Sequence, residues 1–181
     1  MPISALMLLK TLPQEILGYC KSRVWKKQLS ALRPKDMPEA EAIKVEKKCI
    51  EEIKAIELEY GIKLYICPYD KHRAHPVLKH ISGSSIGRWV CLNDRHDIWV
   101  IRHEAGHKVD SDKLGWLYLP VIGIPSASNN LKARKLRKTT PSIKVTEWYY
   151  NTRPERRADR NAGIKREYVD GRMMCTLLDA K

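Results

Sequence analysis

Apolar residues recur at helical spacing over residues 38–60, PEAEAIKVEKKCIEEIKAIELEY, where Ile43, Ile50, Ile53 and Ile56 fall near one face with charges between them. Pro38 and Glu39 suit a first turn and Gly61 a C-terminal cap, so a helix is predicted here. The pattern then changes. IKLYICP at 62–68 and IGRWVCLND at 86–94 are short runs rich in β-branched and aromatic residues, which predicts two strands, the second ending on the turn signal Asn93-Asp94. Between them CPYDKHRAHPVLKHISGSS reads as a loop-rich connection. Asp94 or Asp97 is placed to cap a helix predicted from about His96 to Leu114. From Pro154 a last helix is predicted through PERRADRNAGIKREYV. Helices with a few strands and no regular alternation give an α+β fold class.

Three stretches fit neither template. Residues 1–36 read as an amphipathic arm: MPISALMLLKTLPQEILGYCK lacks a positive leader, and Lys10, Pro13, Gln14 and Glu15 break its apolar run, unlike a signal peptide. LGYC at 17–20 places Tyr19 where a lipoprotein cleavage site needs a small residue. The apolar run from Leu114 to Ala127 is too short to span a bilayer and holds Pro120, Pro125 and two glycines. Composition leaves it either a buried connector or a membrane-touching loop. Residues 127–145 read as a basic, flexible loop, with five Lys or Arg between 132 and 138; a solvated loop or short helix face is favoured there over a dedicated binding patch.

A length of 181 residues suits one domain, 1–181, with its own core. Apolar residues at 43% against 30% charged place the chain among globular rather than disordered proteins. The net charge of +13 favours an anionic partner (nucleic acid, an acidic protein or a membrane surface) without naming one. Cys20, Cys49, Cys67, Cys91 and Cys175 are odd in number and scattered, with no Cys-x-x-Cys pair. That excludes a disulfide framework and a Cys-type zinc site and suits a reducing cytoplasm.

The sharpest chemistry lies in RHEAGH at 102–107. In a helix, residues i and i+4 share a face about 6 Å apart along the axis, so His103 and His107 can aim two imidazoles at one ion. Glu104, rotated by roughly 100°, stands beside that ion rather than on it. Zn2+ takes neutral nitrogen ligands and an open position for water, whose proton a neighbouring carboxylate can accept. A third protein ligand is needed. TRPERRADRNAG offers Glu155 and Asp159, again four apart: Glu155 completes a His-His-Glu set, and Asp159 can hydrogen-bond the free ring nitrogen of a ligand histidine, most simply His103. Thr152-x-x-Glu155 is equally a helix capping box, and the two roles are compatible. Asp110, about 10 Å along the helix from His103, is too far to share the ion; Glu147 is the second choice of third ligand. His72, His75 and His80 form a cluster that could be a second metal site. Tyr149, Tyr150 and Arg153 are candidates to steady an oxyanion, the tyrosines being equally suited to packing. RWVCLN is the candidate strand edge for an extended substrate.

Glu155-x-x-x-Asp159 downstream of HEAGH resembles the gluzincin metalloprotease pattern. Residues 102–126 and 147–164 further resemble a family of small, little-characterised bacterial metalloproteases. That family carries a His-Glu-Tyr-Gly-His helix, then LGPLYL-x-VIGIPS, then YY-x-x-x-TE-x-x-AD-x-LGG. Here these stand as RHEAGH, LGWLYLPVIGIPS and YYNTRPERRADRNAG. The match covers about a quarter of the chain but joins three motifs in order, which makes it fairly specific. Departures are Ala105 for the aromatic, Asp110 for Gln, Trp116 for Pro, and Arg153-Pro154 inserted between Thr152 and Glu155, which bears on the orientation of Glu155. A more distant resemblance is to the ImmA/IrrE type of metalloprotease, which clips repressors and would link the basic charge to DNA-bound substrates. The resemblance implies a minimal zincin-like fold, helices on a small mixed sheet, with the 114–127 run buried as a hairpin-like connector under the metal helix. It also implies a zinc peptidase acting on a peptide or protein substrate, with Glu104 as base. The competing expectation is a nucleic-acid-associated regulatory or binding protein whose metal site is structural or vestigial, with affinity falling steeply with salt. A third is an α+β scaffold with no metal.

Overall fold

The structure is a computed structural model and describes residues 38–67, 83–93 and 98–178. The arm at 1–36, the His72, His75 and His80 cluster and the expected caps Asp94 and Asp97 lie outside these residues. Helices and small sheets mix as in an α+β protein. Two compact units are formed, one from the chain up to Ser84 with Arg88–His96, the other from Asp97 to Lys181 with Ser85–Gly87.

In the first unit, α1 spans Glu39–Tyr60 and buries Ile53 and Ile56. Gly61, at φ 60°, ends it: a left-handed residue here lets Ile62 N–H reach Glu57 O at 3.0 Å, satisfying a terminal carbonyl. The Glu57 carboxylate accepts from Leu64 N–H at 2.8 Å and ties the end of the helix to the strand that begins at Lys63. Strands β1 (Lys63–Cys67), β2 (Gly83–Ile86) and β3 (Trp89–Asn93) form a sheet in the order β1-β3-β2, with β1 and β3 parallel and Lys63 opposite Trp89. Ile62, Leu64, Val90 and Leu92 supply its core. The short β2 falls where a loop was expected. GSSI has no alternation to announce it, and it is set by the Gly87 turn (φ 56°) that returns the chain into β3. Because β3 is the central strand, RWVCLN is hydrogen-bonded on both sides and has no free edge for a substrate.

In the second unit, α2 (Ile98–Leu114) runs through HEAGH. Then come α3 (Ile124–Leu136), α4 (Ser142–Tyr150) and α5 (Arg153–Asn161), and strands β4 (Ile164–Val169) and β5 (Arg172–Leu177). The buried face of α2 is unusual, for it includes His103, His107 and Asp110 as well as Ile101, Ala105 and Gly106. Its neighbour α5 buries Glu155 and Asp159 with Pro154 and Ala158. The two helices cross at their smallest residues. A Cβ on Gly106 would sit 2.0 Å from Ala158 O, and Asn161 Nδ2 donates to Gly106 O at 3.1 Å across the same crossing.

Three expectations are corrected or narrowed by this unit. The 114–127 run is not a buried hairpin-like connector but a helical passage, a 3-10 turn at Gly115–Leu117 and a π turn at Leu119–Gly123 leading into α3. Pro120 and Pro125 fall at the junctions between these helical segments, where the backbone at Tyr118 and Gly123 is already helical, so they sit within helix rather than mark loops. Only Tyr118 and Ile122, four apart, are buried among its large apolar residues, while Trp116 is 81% exposed. Second, of the two forms expected for the basic stretch, a loop or a short helix face, most of 127–145 takes the helical one: α3 continues to Leu136 around the buried Ala133, and Pro141 precedes α4. Third, the last helix stops at Asn161. Gly163, at φ 64°, turns the chain and IKREYV becomes β4, paired antiparallel with RMMCTL through a turn in which Asp170 and Gly171 both have positive φ.

A part-buried ion pair braces α2 against α5. Arg157 donates to both oxygens of Asp110, at 2.7 and 3.3 Å, and Asp110 is wholly buried. Burial works against the Asp110 charge, but the Arg157 and Asn161 hydrogen bonds and the Arg157 charge outweigh it and lower its pKa. A depressed folded pKa gives stability that is present above the unfolded carboxylate value of about 3.9 and lost as pH falls through the folded one. Arg157→Ala is expected to cost on the order of 1–2 kcal/mol, discounted because the arginine end is part-exposed. In denaturant unfolding, the gap to wild type should narrow on acidification below about pH 4. A gap independent of pH would refute this role for the pair.

Candidate metal centre

Three side chains from two helices converge in the second unit. His103, His107 and Glu155 are all buried, and their donor atoms lie within 4.8 Å of one another. His103 Nε2 is 2.9 Å and His107 Nε2 3.4 Å from the same oxygen, Glu155 Oε2. The one-turn spacing on α2 brings the two imidazoles together edge to face, centroids 4.9 Å apart. The Gly106–Ala158 crossing lets α5 approach closely enough for Glu155 to meet them.

Glu155 is not used as a helix cap. Thr152 makes no capping hydrogen bond and instead donates to Tyr149 O at 2.8 Å. Pro154 takes the first turn, and the Glu155 side chain, with no exposure, faces the histidines and accepts from Ser126 Oγ at 2.5 Å through Oε1. Burial alone would raise the Glu155 pKa. The hydrogen bonds and charges of His103 and His107 reverse that, holding the carboxyl well below the usual range.

A second layer holds His103. Its Nδ1 lies 2.8 Å from Asp159 Oδ1, and Arg166 on β4 grips the same carboxylate from behind, Nη2 to Oδ1 at 2.9 Å and Nε to Oδ2 at 2.7 Å. The Arg166 guanidinium stacks 3.8 Å from the Tyr150 ring centroid, and that ring meets His103 edge to face at 5.2 Å. Burial opposes charge on His103, but the bonds to Asp159 and Glu155 and their charges push its pKa up to about 9. At neutral pH both ring nitrogens therefore carry protons, Nδ1 donating to Asp159 and Nε2 to Glu155; a metal on Nε2 would displace that proton and leave Nδ1–H on Asp159. His107 is held differently: its Nδ1 is buried with no hydrogen-bond partner among the described residues. One imidazole is oriented by a carboxylate, the other by packing.

The donor set can therefore hold a metal ion. Two imidazoles and a carboxylate, buried and convergent, match the chemistry of a mononuclear site with a position left open. Asp159→Asn is expected to weaken metal binding by roughly 10–100-fold with the three donors intact, because the His103 ring loses its anionic partner. Competition against a chelator measures it, and unchanged affinity would show Asp159 to be merely structural.

The other sequence candidates fall elsewhere. Glu104 is half-buried and outside the donor set, and its charge adds to burial in raising the pKa values of Tyr118, Tyr149 and Tyr150, which places it among those rings. Glu147 and Arg153 are exposed, and Asp110 is committed to Arg157. Tyr149 hydrogen-bonds with Ser126 beside Glu155. Sequence reasoning missed Ser126 and Arg166. Ser126 ends the VIGIPS segment, so a polar residue closing an apolar run was its one signal, whereas Arg166 looked like one helix charge among many.

The fold and site define an α+β protein with a buried His-His-Glu group able to hold a metal ion. Against known proteins, no family model, curated protein or solved structure matches the chain.

Proposed function

We propose that this protein is a zinc-dependent peptidase with a minimal zincin-like fold. The observation that carries the reading is the convergence of His103, His107 and Glu155 within 4.8 Å, with Asp159 on the far nitrogen of His103. Two His and one carboxylate favour zinc over harder divalent ions, and three protein donors leave room for a reacting group. The resemblance of RHEAGH, LGWLYLPVIGIPS and YYNTRPERRADRNAG to the small bacterial metalloproteases points the same way and supplies the substrate class, a peptide or protein.

A bound zinc ion would supply Lewis acidity, acidifying a water and polarising the scissile carbonyl. Glu104, next to a ligand yet outside the donor set, accepts the proton of the attacking water and hands it to the leaving amine. Tyr149 suits the oxyanion better than Tyr150 or Arg153. Burial and neighbouring carboxylates keep its hydroxyl protonated, and that hydroxyl sits with Ser126 beside Glu155, whereas the Tyr150 ring is packed between His103 and Arg166 and Arg153 is exposed. Asp159 and Arg166 keep His103 in one tautomer.

Glu104→Gln separates this mechanism from a purely structural metal site. The variant is expected to retain zinc while peptide hydrolysis falls by roughly 10²–10⁴-fold. Elemental analysis and turnover of a quenched peptide library read the two quantities. Hydrolysis that persists in the variant would rule out Glu104 as the base; zinc in a wild type with no hydrolysis would leave the site structural.

A further inference from the structure

From Lys113 to Thr146 the chain carries seven lysines and arginines and no aspartate or glutamate. The same stretch holds a run of exposed large apolar side chains. Trp116 is 81% exposed, Ile124 65% and Leu131 53%, and Leu117, Leu119 and Val121 each exceed a third. The inward side is set by Tyr118, Ile122 and Ala133. On α3, at 100° per residue, Ile124, Ser128, Leu131 and Lys135 share the face opposite Ala133, and Lys138 is exposed in the turn beyond the helix. The stretch thus presents exposed indole and aliphatic groups toward its start and ammonium groups toward its end.

Such a surface fits a boundary that is itself apolar within and anionic at its edge. We infer that this face seats the protein on an anionic lipid bilayer. Trp116, Ile124 and Leu131 enter the boundary between headgroups and acyl chains, while Lys135 and Lys138 lie against the phosphates. Contact without spanning agrees with the helices, none of which, among the described residues, is long and apolar enough to cross a membrane.

Charge decides against the other occupants. A second copy would bring two cationic faces together. Residues 1–37 carry seven Lys or Arg against Glu15 and Asp36, the same sign again. Nucleic acid would match the charge but leave Leu117, Leu119, Val121 and Ile124 facing phosphates, where they gain nothing. The inference uses no residue of the metal centre and stands apart from the peptidase proposal.

The test is co-sedimentation of the full chain with phosphatidylcholine vesicles, with and without phosphatidylserine, at low and high salt. Binding should require phosphatidylserine and weaken with salt. Lys135→Ala with Lys138→Ala should weaken partition roughly 25-fold, at about fivefold per cation. Trp116→Ser with Ile124→Ser should weaken it at least roughly tenfold. Neither pair should alter metal content or thermal midpoint, since all four side chains are exposed. Failure of the wild type to bind phosphatidylserine vesicles would overturn the inference. So would loss in the lysine pair alone, which is the signature of nucleic-acid-type electrostatics, or a concentration-dependent dimer abolished by the Trp116 and Ile124 pair without vesicle binding.

Discussion

Gly106→Ala is expected to lower the thermal midpoint by roughly 6–12 °C and to loosen the metal site with it. Two effects oppose one another. Alanine in mid-helix is favoured over glycine by about 1 kcal/mol, because the unfolded glycine has more freedom to lose. Against that, the added Cβ would stand 2.0 Å from Ala158 O, 2.7 Å from its carbonyl carbon and 3.1 Å from its Cα. All three are backbone atoms, so no rotamer change relieves the clash. Overpacking of this severity lies at the upper end of the usual range, about 4 kcal/mol, and the steric term wins by about 3. The helices must part, the Asn161 bond to Gly106 O lengthens, and Glu155 withdraws from the histidines. Gly123→Ala is the control: its Cβ would meet the movable end of Leu119 at 3.3 Å, and a small change is expected. A Gly106→Ala protein as stable as wild type would mean that the helices do not cross this closely.

Glu155→Ala should reduce metal affinity by more than roughly 100-fold, beyond the loss expected for Asp159→Asn, because it removes a donor rather than a donor's support. It also strips a hydrogen-bond partner from His103 Nε2 and from Ser126 Oγ, and removes the anion nearest His107 Nε2. Those groups stay in a buried pocket, so the metal-free variant is destabilised as well. Elemental analysis of tag-free protein, beside a chelator titration, measures the loss. Stoichiometric zinc in Glu155→Ala would move the third donor elsewhere. The metal-free wild type bears on the same point: an ion held by the folded protein alone raises stability by mass action, so chelation should lower the midpoint in wild type and leave Glu155→Ala unmoved.

What the sequence made legible was whatever obeys a local rule. The four-residue spacings His103–His107 and Glu155–Asp159 place pairs on one helical face wherever the helices lie, and the structure brings those four side chains together. The α1 helix and its Gly61 cap obey the same kind of rule. What depended on distant packing was not legible. KREYV carries three charged residues in a row and resembles a helix, yet Gly163 and the Asp170-Gly171 turn make it a strand; the Asp-Gly pair was the overlooked signal. An apolar run invites the inference of burial. For 114–127, helical periodicity puts Tyr118 and Ile122 inside and leaves Trp116 and Ile124 out. The prolines that looked like turn markers sit at junctions within helical backbone, a distinction that composition does not make.

The wiring of the site also orders its assembly in time. Glu155, Asp159 and Arg166 fall within twelve consecutive residues, so the α5–β4 corner, with the Asp159 carboxylate gripped by Arg166, closes over a short loop. His103 lies 52 residues from Glu155 and 56 from Asp159, and meeting them closes a much longer one. Short loops close at lower entropic cost and earlier, so the acidic corner precedes the arrival of the histidine helix. An ion that needs donors from both finds its full donor set only after the longer loop has closed. The affinity of a bound ion would then be expected to appear as slower unfolding rather than faster folding, so that its removal shortens the protein's lifetime more than it slows its formation.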